Sequence, residues 1–235
     1  MELAIDSSSE IAGLALSQQG RIVAQLVWRA GQNHTRELLP GMTRILEQAV
    51  TDTSAISGVI AARGPGSFNG LRAGLSLAKG LAFGLKIPLV GVTTLEAEAY
   101  QFAFTRLPVF AVHEAGRGEI ATALYRQTGD SWQCLKEPYL TTIDALCAGI
   151  EEETVLCGEI TPSMSARLLE KLGRKALIPP GDSWHHRVGY LALLGWQRLG
   201  RGESEPPASL QPLYLRQPPI TLPGGGTRNV AQATI

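Results

Sequence analysis

The stretch "GVIAARGPGSFNGLRAGLSLAKGLAFGLKIPLVGV", residues 58–92, carries the pattern that decides the fold. An apolar run at Gly58–Ala62 leads into a glycine-rich turn, and a long apolar helix is expected from about Asn69 to Leu85. A second apolar run follows at Pro88–Val92. Strand, helix and strand in this order predict a βαβ unit whose two strands lie parallel in one sheet. The sequence therefore predicts an α/β protein.

The segments around this unit complete a longer pattern. Strands are predicted at Leu3–Asp6, Ile11–Ser17 and Arg21–Arg29, and an amphipathic helix is predicted over Leu38–Val50. Pro40 and Gly41 are expected to restrict the first turn of this helix or to kink it. A helix at Leu95–Arg106 closes the first half, which then has the order βββαβαβα.

The second half repeats the same order of elements. Strands are predicted at Val109–Glu114, Glu119–Arg126, Trp132–Leu140, Thr154–Cys157 and Lys175–Ile178, and helices at Thr142–Glu151, Ser163–Leu172 and Trp184–Leu199. The tripeptide Glu10-Ile11-Ala12 recurs as Glu119-Ile120-Ala121 at the matching hairpin. Repetition of element order is the signature of a duplicated architecture.

This duplication predicts the fold class and the domain boundaries. Two βββαβαβα halves with mixed sheets are typical of the duplicated ribonuclease-H-like or actin-like (ASKHA) fold. We predict an N-terminal subdomain at residues 1–107 and a C-terminal subdomain at residues 108–202. Residues 203–235 are rich in proline and glycine, which predicts an extended strap followed by a disordered tail.

Composition narrows the classes of function. The 235 residues carry 21 basic and 21 acidic side chains, so the formal net charge is zero and a primary nucleic-acid-binding role is disfavoured. The three cysteines, Cys134, Cys147 and Cys157, are odd in number and lack the CxxC spacing of a zinc site. They predict free thiols in a reducing compartment. Met1–Asp6 lacks the basic and apolar pattern of a signal peptide, and no apolar run is long enough to span a membrane. A cytoplasmic protein with no membrane partner is expected.

The glycine-rich turn at residues 63–74 allows two interpretations. It fits neither the P-loop nor the dinucleotide fingerprint, because Asn69 stands at a required glycine and the next lysine is Lys79. A tight turn into a helix N-terminus nevertheless favours an anion, and Arg63 and Arg72 add positive charge. Alternatively, the glycines permit the turn and Ser67 or Asn69 caps the helix.

Asp6 ends the first strand, where actin-like ATPases and ribonuclease-H nucleases place a carboxylate that faces metal or phosphate. Glu114 holds nearly the same place in the second half, so the two carboxylates are candidates to hold Mg²⁺ with a nucleotide. The alternative is that Asp6 only accepts backbone N–H bonds in its serine turn. His34, His113, His185 and His186 form no recognisable metal set. The candidate nucleotide- or anion-binding residues are Asp6, Ser7, Gly64, Gly66, Ser67 and Arg72.

The helix after the glycine-rich turn has an unusual composition. Its glycines form two i, i+4 pairs, Gly70 with Gly74 and Gly80 with Gly84, and leucine and alanine fill most other positions. A helix that is apolar on most sides must be covered on most sides. Either a second layer of this chain covers it, or another molecule does; we favour an intermolecular helix bundle. The expected interface residues are Leu38, Met42, Ile45, Gly70, Gly74, Leu77, Lys79, Gly80 and Gly84.

Several segments resemble one known family. "LAIDSSSEIAGLAL" (3–16), "HTRELLPGM" (34–42), residues 62–97, "AGRGEIATALY" (115–125) and "PLYLRQP" (212–218) are similar to the TsaB (YeaZ) family of bacterial tRNA threonylcarbamoyladenosine (t6A) biosynthesis proteins. The resemblance is close over residues 1–126 and looser beyond. It implies an actin-like fold and a noncatalytic subunit that dimerises with TsaD, the subunit that modifies adenosine 37 of tRNA.

The resemblance also implies further partners and absences. TsaD-type subunits carry two metal-binding histidines just after the strand matching Pro88–Val92, whereas this chain has Thr93–Glu98 there. The family works with the ATPase TsaE, forms homodimers when TsaD is absent, and meets tRNA through the complex. No cofactor is therefore expected to be required, although ATP or ADP with Mg²⁺ can be expected at the interface of the complex. Glu114 and Gly116 replace the acid and arginine usual in the family.

Two other functions remain as alternatives at this stage. One is an actin-like ATPase or phosphotransferase acting alone through Asp6 and the Gly64–Gly70 turn. The other is a glycoprotease-like metallopeptidase, for which the sequence offers no ligand set. An enzyme is not expected.

Overall fold

The computed structural model describes residues 1–180 and 187–216 and contains two five-stranded sheets of the same topology. When the five strands of each sheet are counted in chain order, they lie side by side in the order 3-2-1-4-5 in both sheets. In each sheet the first three strands are antiparallel and the last two join parallel to the central strand. The predicted α/β fold, duplicated with mixed sheets, is thus confirmed.

The first half follows the predicted order closely. Its elements are β1 (Glu2–Asp6), β2 (Ile11–Gln18), β3 (Arg21–Arg29), α1 (His34–Gln48), β4 (Gly58–Ala62), α2 (Phe68–Leu85), β5 (Leu89–Val92) and α3 (Thr94–Tyr100). Helix α1 begins four residues before the predicted Leu38, so Pro40 lies inside the helix instead of in its first turn. Helix α3 is shorter than predicted and is followed by a separate 3₁₀ turn at Ala103–Thr105.

The second half matches the prediction to within a few residues at each boundary. Its elements are β6 (Val109–Gly116), β7 (Glu119–Thr128), β8 (Ser131–Thr141), α4 (Ile143–Ala148), β9 (Thr154–Gly158), α5 (Pro162–Leu172), β10 (Ala176–Leu177) and α6 (Arg187–Gly200). Residues 184–186, predicted as the first turn of the last helix, and residues 217–235, the last part of the segment predicted as a strap with a disordered tail, lie outside the described residues.

Alternation along β1 sends side chains to two different cores. Leu3 and Ile5 belong to a cluster that includes residues of α1 and α2, whereas Ala4 belongs to a cluster with α6. Because successive side chains of a strand point to opposite faces, α1 with α2 and α6 cover opposite faces of the first sheet. Helix α6 follows the strands of the second half yet packs on the first sheet. This close packing leaves no room for a side chain at Gly195, whose Cβ would lie 2.3 Å from Ile60.

Helix α3 crosses in the opposite direction, from the first half of the chain to the second sheet. It follows the strands of the first half, but Leu95 and Ala99 pack in a cluster with Val109, Ala111 and other residues of the second sheet. We call the first sheet with α1, α2 and α6 the first lobe, and the second sheet with α3, α4 and α5 the second lobe. Since α3 also contacts α6, these two helices join the lobes.

Residues 203–216, the C-terminal strap, run from the end of α6 across both lobes. Leu210 is fully buried in the core of the first lobe, and the Leu213 N–H donates to the Arg63 carbonyl at 2.6 Å. Arg216 then donates to the Ala115 carbonyl at 3.2 Å and pairs with Glu119 in the second lobe. The strap therefore ties the first lobe to the second.

Candidate functional site

Asp6 lies at the end of β1, at the junction of the two lobes, and both of its carboxylate oxygens are occupied. Oδ1 accepts hydrogen bonds from the Ser8 N–H at 3.0 Å and from the Ser8 hydroxyl at 2.6 Å. Oδ2 accepts from Arg187 Nε at 2.5 Å. The side chain of Asp6 is buried. The N–H bond expected in the serine turn is present, but Asp6 does not accept this bond alone, because an arginine that the sequence pattern did not reveal completes its shell.

Arg187 is the first residue of α6 and is also buried. Besides its bond to Asp6, it donates from Nη1 to Glu98 at 3.3 Å and from Nη2 to the Ser9 hydroxyl at 3.0 Å. Its partners come from β1, the turn after β1 and helix α3, so the guanidinium links elements of both lobes. No local sequence pattern marks this residue, because the same helix also carries the polar residues Gln197 and Arg198.

The ionisation of this cluster follows from its geometry. Burial alone would raise the pKa of Asp6, but the charge of Arg187 and the hydrogen bonds from Arg187 and Ser8 hold the pKa below its usual value. Burial alone would lower the pKa of Arg187, and the charges of Asp6 and Glu98 raise it instead. Asp6 and Arg187 are therefore both charged at neutral pH, and a buried cation from the chain itself faces Asp6.

The glycine-rich turn packs tightly against the serines after β1. A Cβ on Gly66 would lie 2.1 Å from the Ser8 carbonyl oxygen, and the Gly64 backbone has a φ of +103°, which favours glycine. Ser67 caps α2 by accepting from the Gly70 N–H at 3.3 Å. The capping interpretation of Ser67 is thus confirmed. The cap does not test the predicted anion binding. It uses the Gly70 N–H, whereas the N–H groups of Phe68 and Asn69 have no acceptor within the helix.

The remaining candidate residues of this turn have intramolecular partners. The Ser7 hydroxyl donates to the Gly70 carbonyl at 2.8 Å, facing the helix. Arg72 lies with its guanidinium carbon 3.9 Å from the centre of the Phe68 ring and donates from Nε to the Tyr214 hydroxyl at 3.2 Å. Arg72 therefore anchors the C-terminal strap.

Some of the residues expected at the partner interface are buried within the chain, and others are exposed. Leu38, Met42 and Ile45 are buried in the core of the first lobe. They face the sheet, because the helix on which they lie covers the sheet with its apolar side. Predicting these three as partner contacts was wrong.

The two glycine pairs of α2 also differ. A Cβ on Gly70 would lie 2.1 Å from the Ser7 carbonyl oxygen, and one on Gly74 would lie 2.1 Å from the Ser7 hydroxyl oxygen. This pair therefore serves packing within the chain, and predicting an exposed stripe there was wrong. Gly80 and Gly84 are exposed, and a Cβ on either would meet no atom within 4 Å. Leu77 and Lys79 are half-buried.

An apolar patch remains open on the outer side of α1 and α2. Phe83 is 78% exposed, Val50 is 93% exposed and Leu39 is 55% exposed. Together with the exposed Gly80 and Gly84 of α2, we call these three residues, which lie on or next to the two helices, the α1–α2 patch. The two helices pack against each other, so the patch spans a helix pair and not a single helix. Exposed aromatic and aliphatic side chains beside small residues are typical of a protein-binding surface.

A cleft of about 700 Å³ lies between the lobes beneath the C-terminal strap. Its walls include Ser8, Gly66 and Ser67 of the first lobe and His113 and Glu114 of the second. This brings together Glu114 and several candidates from the glycine-rich turn. Asp6 is not among the lining residues, because Ser8 and Ser9 separate it from the opening.

Among the described residues, the cysteines and histidines form no recognisable nucleophilic or metal-binding site. Cys134 is exposed, Cys147 and Cys157 are buried, and all three are free. Burial and the nearby Glu137 raise the pKa of Cys134 to about 11, so its thiol stays protonated at neutral pH. Within residues 1–180 and 187–216, no three His, Cys, Asp or Glu side chains are grouped to hold a metal ion. His185 and His186 lie outside this part.

Comparison of the structure with solved structures identifies the class of fold. YeaZ from Pseudomonas aeruginosa superimposes with a TM-score of 0.77 at 23% identity, covering 91% of this chain and 99% of that one. A ROK hexokinase from Thermus thermophilus superimposes with a TM-score of 0.50 at 10% identity, covering 85% and 99%. The chain therefore has the duplicated actin-like fold that sugar kinases also use.

Sequence comparison identifies the family. A family model described as TsaD, tRNA N6-adenosine threonylcarbamoyltransferase, matches residues 27–165. The tRNA threonylcarbamoyladenosine biosynthesis protein TsaB of Bacillus subtilis is 30% identical over 91% of this chain and 93% of its own length. The TsaB protein of Escherichia coli is 36% identical over 53% of this chain and 54% of its own length. The chain belongs to the TsaB (YeaZ) family of tRNA threonylcarbamoyladenosine biosynthesis proteins.

No helix within residues 1–180 and 187–216 has the length and apolarity needed to cross a bilayer.

Proposed function

We propose that this chain is a noncatalytic subunit of a cytoplasmic t6A modification complex, where it activates a TsaD-type partner and works with the ATPase TsaE. The observation that carries the proposal is the buried ion pair between Asp6 and Arg187. A carboxylate at the end of the first strand is the natural ligand for a metal-bound nucleotide in an actin-like fold. Here the guanidinium of Arg187 and the two bonds from Ser8 take up both of its oxygens.

The same geometry argues against the chain acting alone as an ATPase. Magnesium in nucleotide sites is bound through carboxylate oxygens and phosphates, and it keeps several waters. Asp6 is buried and separated from the cleft by Ser8 and Ser9. The residues present therefore do not fit a Mg²⁺–nucleotide group in this cleft. ATP or ADP at the seam with the partner subunit stays a prediction.

The α1–α2 patch supports the partner role. Isolated exposed apolar residues are common, but Phe83 and Leu39 lie on two helices that pack together, and Phe83 lies between Gly80 and Gly84, which allow another backbone to come close. A TsaD-type partner is related to this chain, since the TsaD family model matches residues 27–165. Related subunits present matching helix pairs, so we infer a pseudo-symmetric heterodimer through this patch, and a homodimer when the partner is absent. Transfer RNA then meets the complex chiefly through the partner.

Reconstitution tests the proposal directly. Purified TsaD-type and TsaE-type proteins and tRNA, supplied with threonylcarbamoyl-adenylate, are assayed for modified adenosine with and without this chain. We expect modification only when the chain is present, and we expect a heterodimer by sizing with light scattering. Robust Mg²⁺-dependent ATP turnover by the isolated chain, lost in Asp6→Asn, would instead establish an independent enzyme.

A further inference from the structure

The interlobe cleft has an unsatisfied polar group in its wall. His113 is 3% exposed and lines the cleft, and its Nε2 is buried without a hydrogen-bond partner. Its other ring nitrogen, Nδ1, lies 3.6 Å from Glu159. The Glu159 carboxylate beside Nδ1 favours the tautomer with the proton on Nδ1, which presents Nε2 as an acceptor. A bound molecule that donates a hydrogen bond here would therefore satisfy Nε2.

Carboxylates line the same cleft as this histidine. Glu159 and Glu114 both line the cleft, and Glu10 lies beside them, where it pairs with Arg29 at 3.0 Å. Glu114 is exposed and Glu159 is 38% exposed at the side chain. Together with the acceptor on His113, they form a part of the lining that attracts a group that is both cationic and a donor. An organic ammonium group has these properties.

The lining that α2 of the first lobe contributes to the cleft has a different electrostatic character. Gly66, Ser67 and Phe68 line the cleft at the N-terminus of α2, a helix of 18 residues. The N–H groups of Phe68 and Asn69 have no acceptor within the helix, and the helix dipole adds positive potential there. This part of the lining attracts a carboxylate.

The rest of the cleft lining is largely apolar. Pro65, Leu140 and Leu213 contribute aliphatic surface, and Phe68 packs against Tyr214 with their ring centres 5.2 Å apart. A volume of about 700 Å³ is ample for a small molecule. A largely apolar lining with one cation-attracting part and one anion-attracting part matches one class of ligand.

We propose that the interlobe cleft binds a small zwitterion, an α-amino acid with an apolar side chain. Its ammonium group donates to His113 Nε2 and faces Glu159 and Glu114, and its carboxylate accepts from the N-terminal amides of α2. A nucleotide triphosphate suits the cleft poorly, because the carboxylates repel its phosphates. The arginine among the described lining residues, Arg216, is engaged by Ala115 and Glu119. This inference concerns the isolated chain and does not depend on the partner proposal.

Three matched probes test the choice of ligand. L-leucine carries both charged groups, 4-methylpentanoate lacks the ammonium group, and 3-methylbutylamine lacks the carboxylate. We expect saturable binding of L-leucine to the isolated chain by calorimetry and by ligand-observed NMR. Each analogue is expected to bind at least about tenfold more weakly, since it loses the hydrogen bonds of one charged group.

Glu159→Gln and Glu170→Gln form a matched pair of variants. Glu159 is only partly buried, so its variant is expected to fold, and folding is checked by circular dichroism. Glu170 is an exposed residue on α5, away from the cleft. We expect Glu159→Gln to weaken L-leucine binding about tenfold or more and Glu170→Gln to leave it unchanged.

Several outcomes would overturn the inference. These are no saturable L-leucine binding up to about 10 mM, equal binding of the three probes, and equal binding by the two variants. Displacement of L-leucine by Mg²⁺–ATP would reassign the cleft to a nucleotide. Thermal stabilisation by MgCl₂ alone that is lost in Glu159→Gln would reassign the acidic part of the lining to a metal ion.

Discussion

The guanidinium of Arg187 and the carboxylate of Asp6 form a buried ion pair, with Nε 2.5 Å from Oδ2, between residues 181 positions apart. One comes from the first strand and the other from the last helix. The pair is therefore complete only when α6 lies on the first sheet and the chain has closed on itself. In an actin-like fold this position would otherwise suit a metal ion, so a permanent internal cation supports the loss of catalysis that we propose.

We expect removal of the Arg187 guanidinium to destabilise the folded chain. Arg187→Met keeps the length of the side chain but leaves Asp6 and Glu98 buried without their counterion, which we expect to lower the free energy of unfolding by about 3–5 kcal/mol. Urea denaturation measures the loss. The control is Arg201→Met, whose ion pair with Glu203 is exposed, with an expected change within about 0.5 kcal/mol. A loss below about 1 kcal/mol for Arg187→Met would contradict the role assigned to the pair.

The lowered pKa of Asp6 predicts a specific loss of stability in acid. Burial opposes this lowering, but Arg187 and Ser8 outweigh it, so the unfolded chain takes up the proton at a higher pH than the folded chain does. The stabilisation is complete above the unfolded-state pKa of about 3.9 and is lost as the pH falls through the lower folded-state value. We expect the urea midpoint of the wild-type chain to fall more steeply between about pH 5 and about pH 2 than that of Asp6→Asn.

The exposed carboxylates Asp52 and Asp144 also have lowered pKa values, through hydrogen bonds from Ser54 and from Lys171 and Arg167. They contribute to acid unfolding in both proteins. The difference between the two pH profiles therefore isolates Asp6. Parallel profiles would show that the pair with Arg187 adds no stability that depends on the protonation of Asp6.

Two glycines of the same helix should respond in opposite ways to alanine. Gly70→Ala places a Cβ against the Ser7 carbonyl oxygen, so we expect a loss of about 1–3 kcal/mol or more. Gly80→Ala meets open space in a helix interior, so we expect a gain of about 0.5–1 kcal/mol. Thermal and urea unfolding of the isolated chain measure both. Destabilisation by Gly80→Ala of the monomer would mean that this side of α2 is covered within the chain.

These glycines show what the sequence reveals and what it leaves hidden. Periodicity and turn residues predicted the element order and most boundaries, because each strand and helix buries a face with its own period. The i, i+4 spacing of Gly70, Gly74, Gly80 and Gly84 marked close approach without saying which atoms approach. The first pair meets the Ser7 backbone and hydroxyl, which belong to a loop 63 or more residues earlier. Contacts between elements so far apart depend on the assembled fold.

The Asp6 site shows the same limit. A serine turn after β1 was predictable from local residues, since Ser8 lies two positions from the carboxylate that it donates to. The guanidinium that completes the shell comes from α6, and no local pattern connects Arg187 with Asp6. It was the crossing of α6 from the second half to the first sheet that brought them together. Sequence alone therefore left both the metal-site and the turn interpretation open.

The α1–α2 patch yields the sharpest test of the proposed partner role. Phe83→Asp places a charge on a side chain that is 78% exposed, so the isolated chain should fold normally. We expect association with the TsaD-type partner to weaken by at least about tenfold, because a buried charge in the centre of an interface costs several kcal/mol. Phe104→Asp is the matched control, since Phe104 is 82% exposed but lies outside both helices. Sizing and calorimetry measure association, and circular dichroism verifies folding.

The modification assay then separates binding from chemistry. If the chain acts only by docking, Phe83→Asp should lose tRNA modification at low subunit concentration and regain it when the concentration is raised above the weakened dissociation constant. Mass action requires this recovery when the altered residue affects association alone. Phe104→Asp should match the wild-type chain throughout. Equal association by both variants would place the partner on another surface, and persistent inactivity of Phe83→Asp in a fully formed complex would give this helix a role beyond docking.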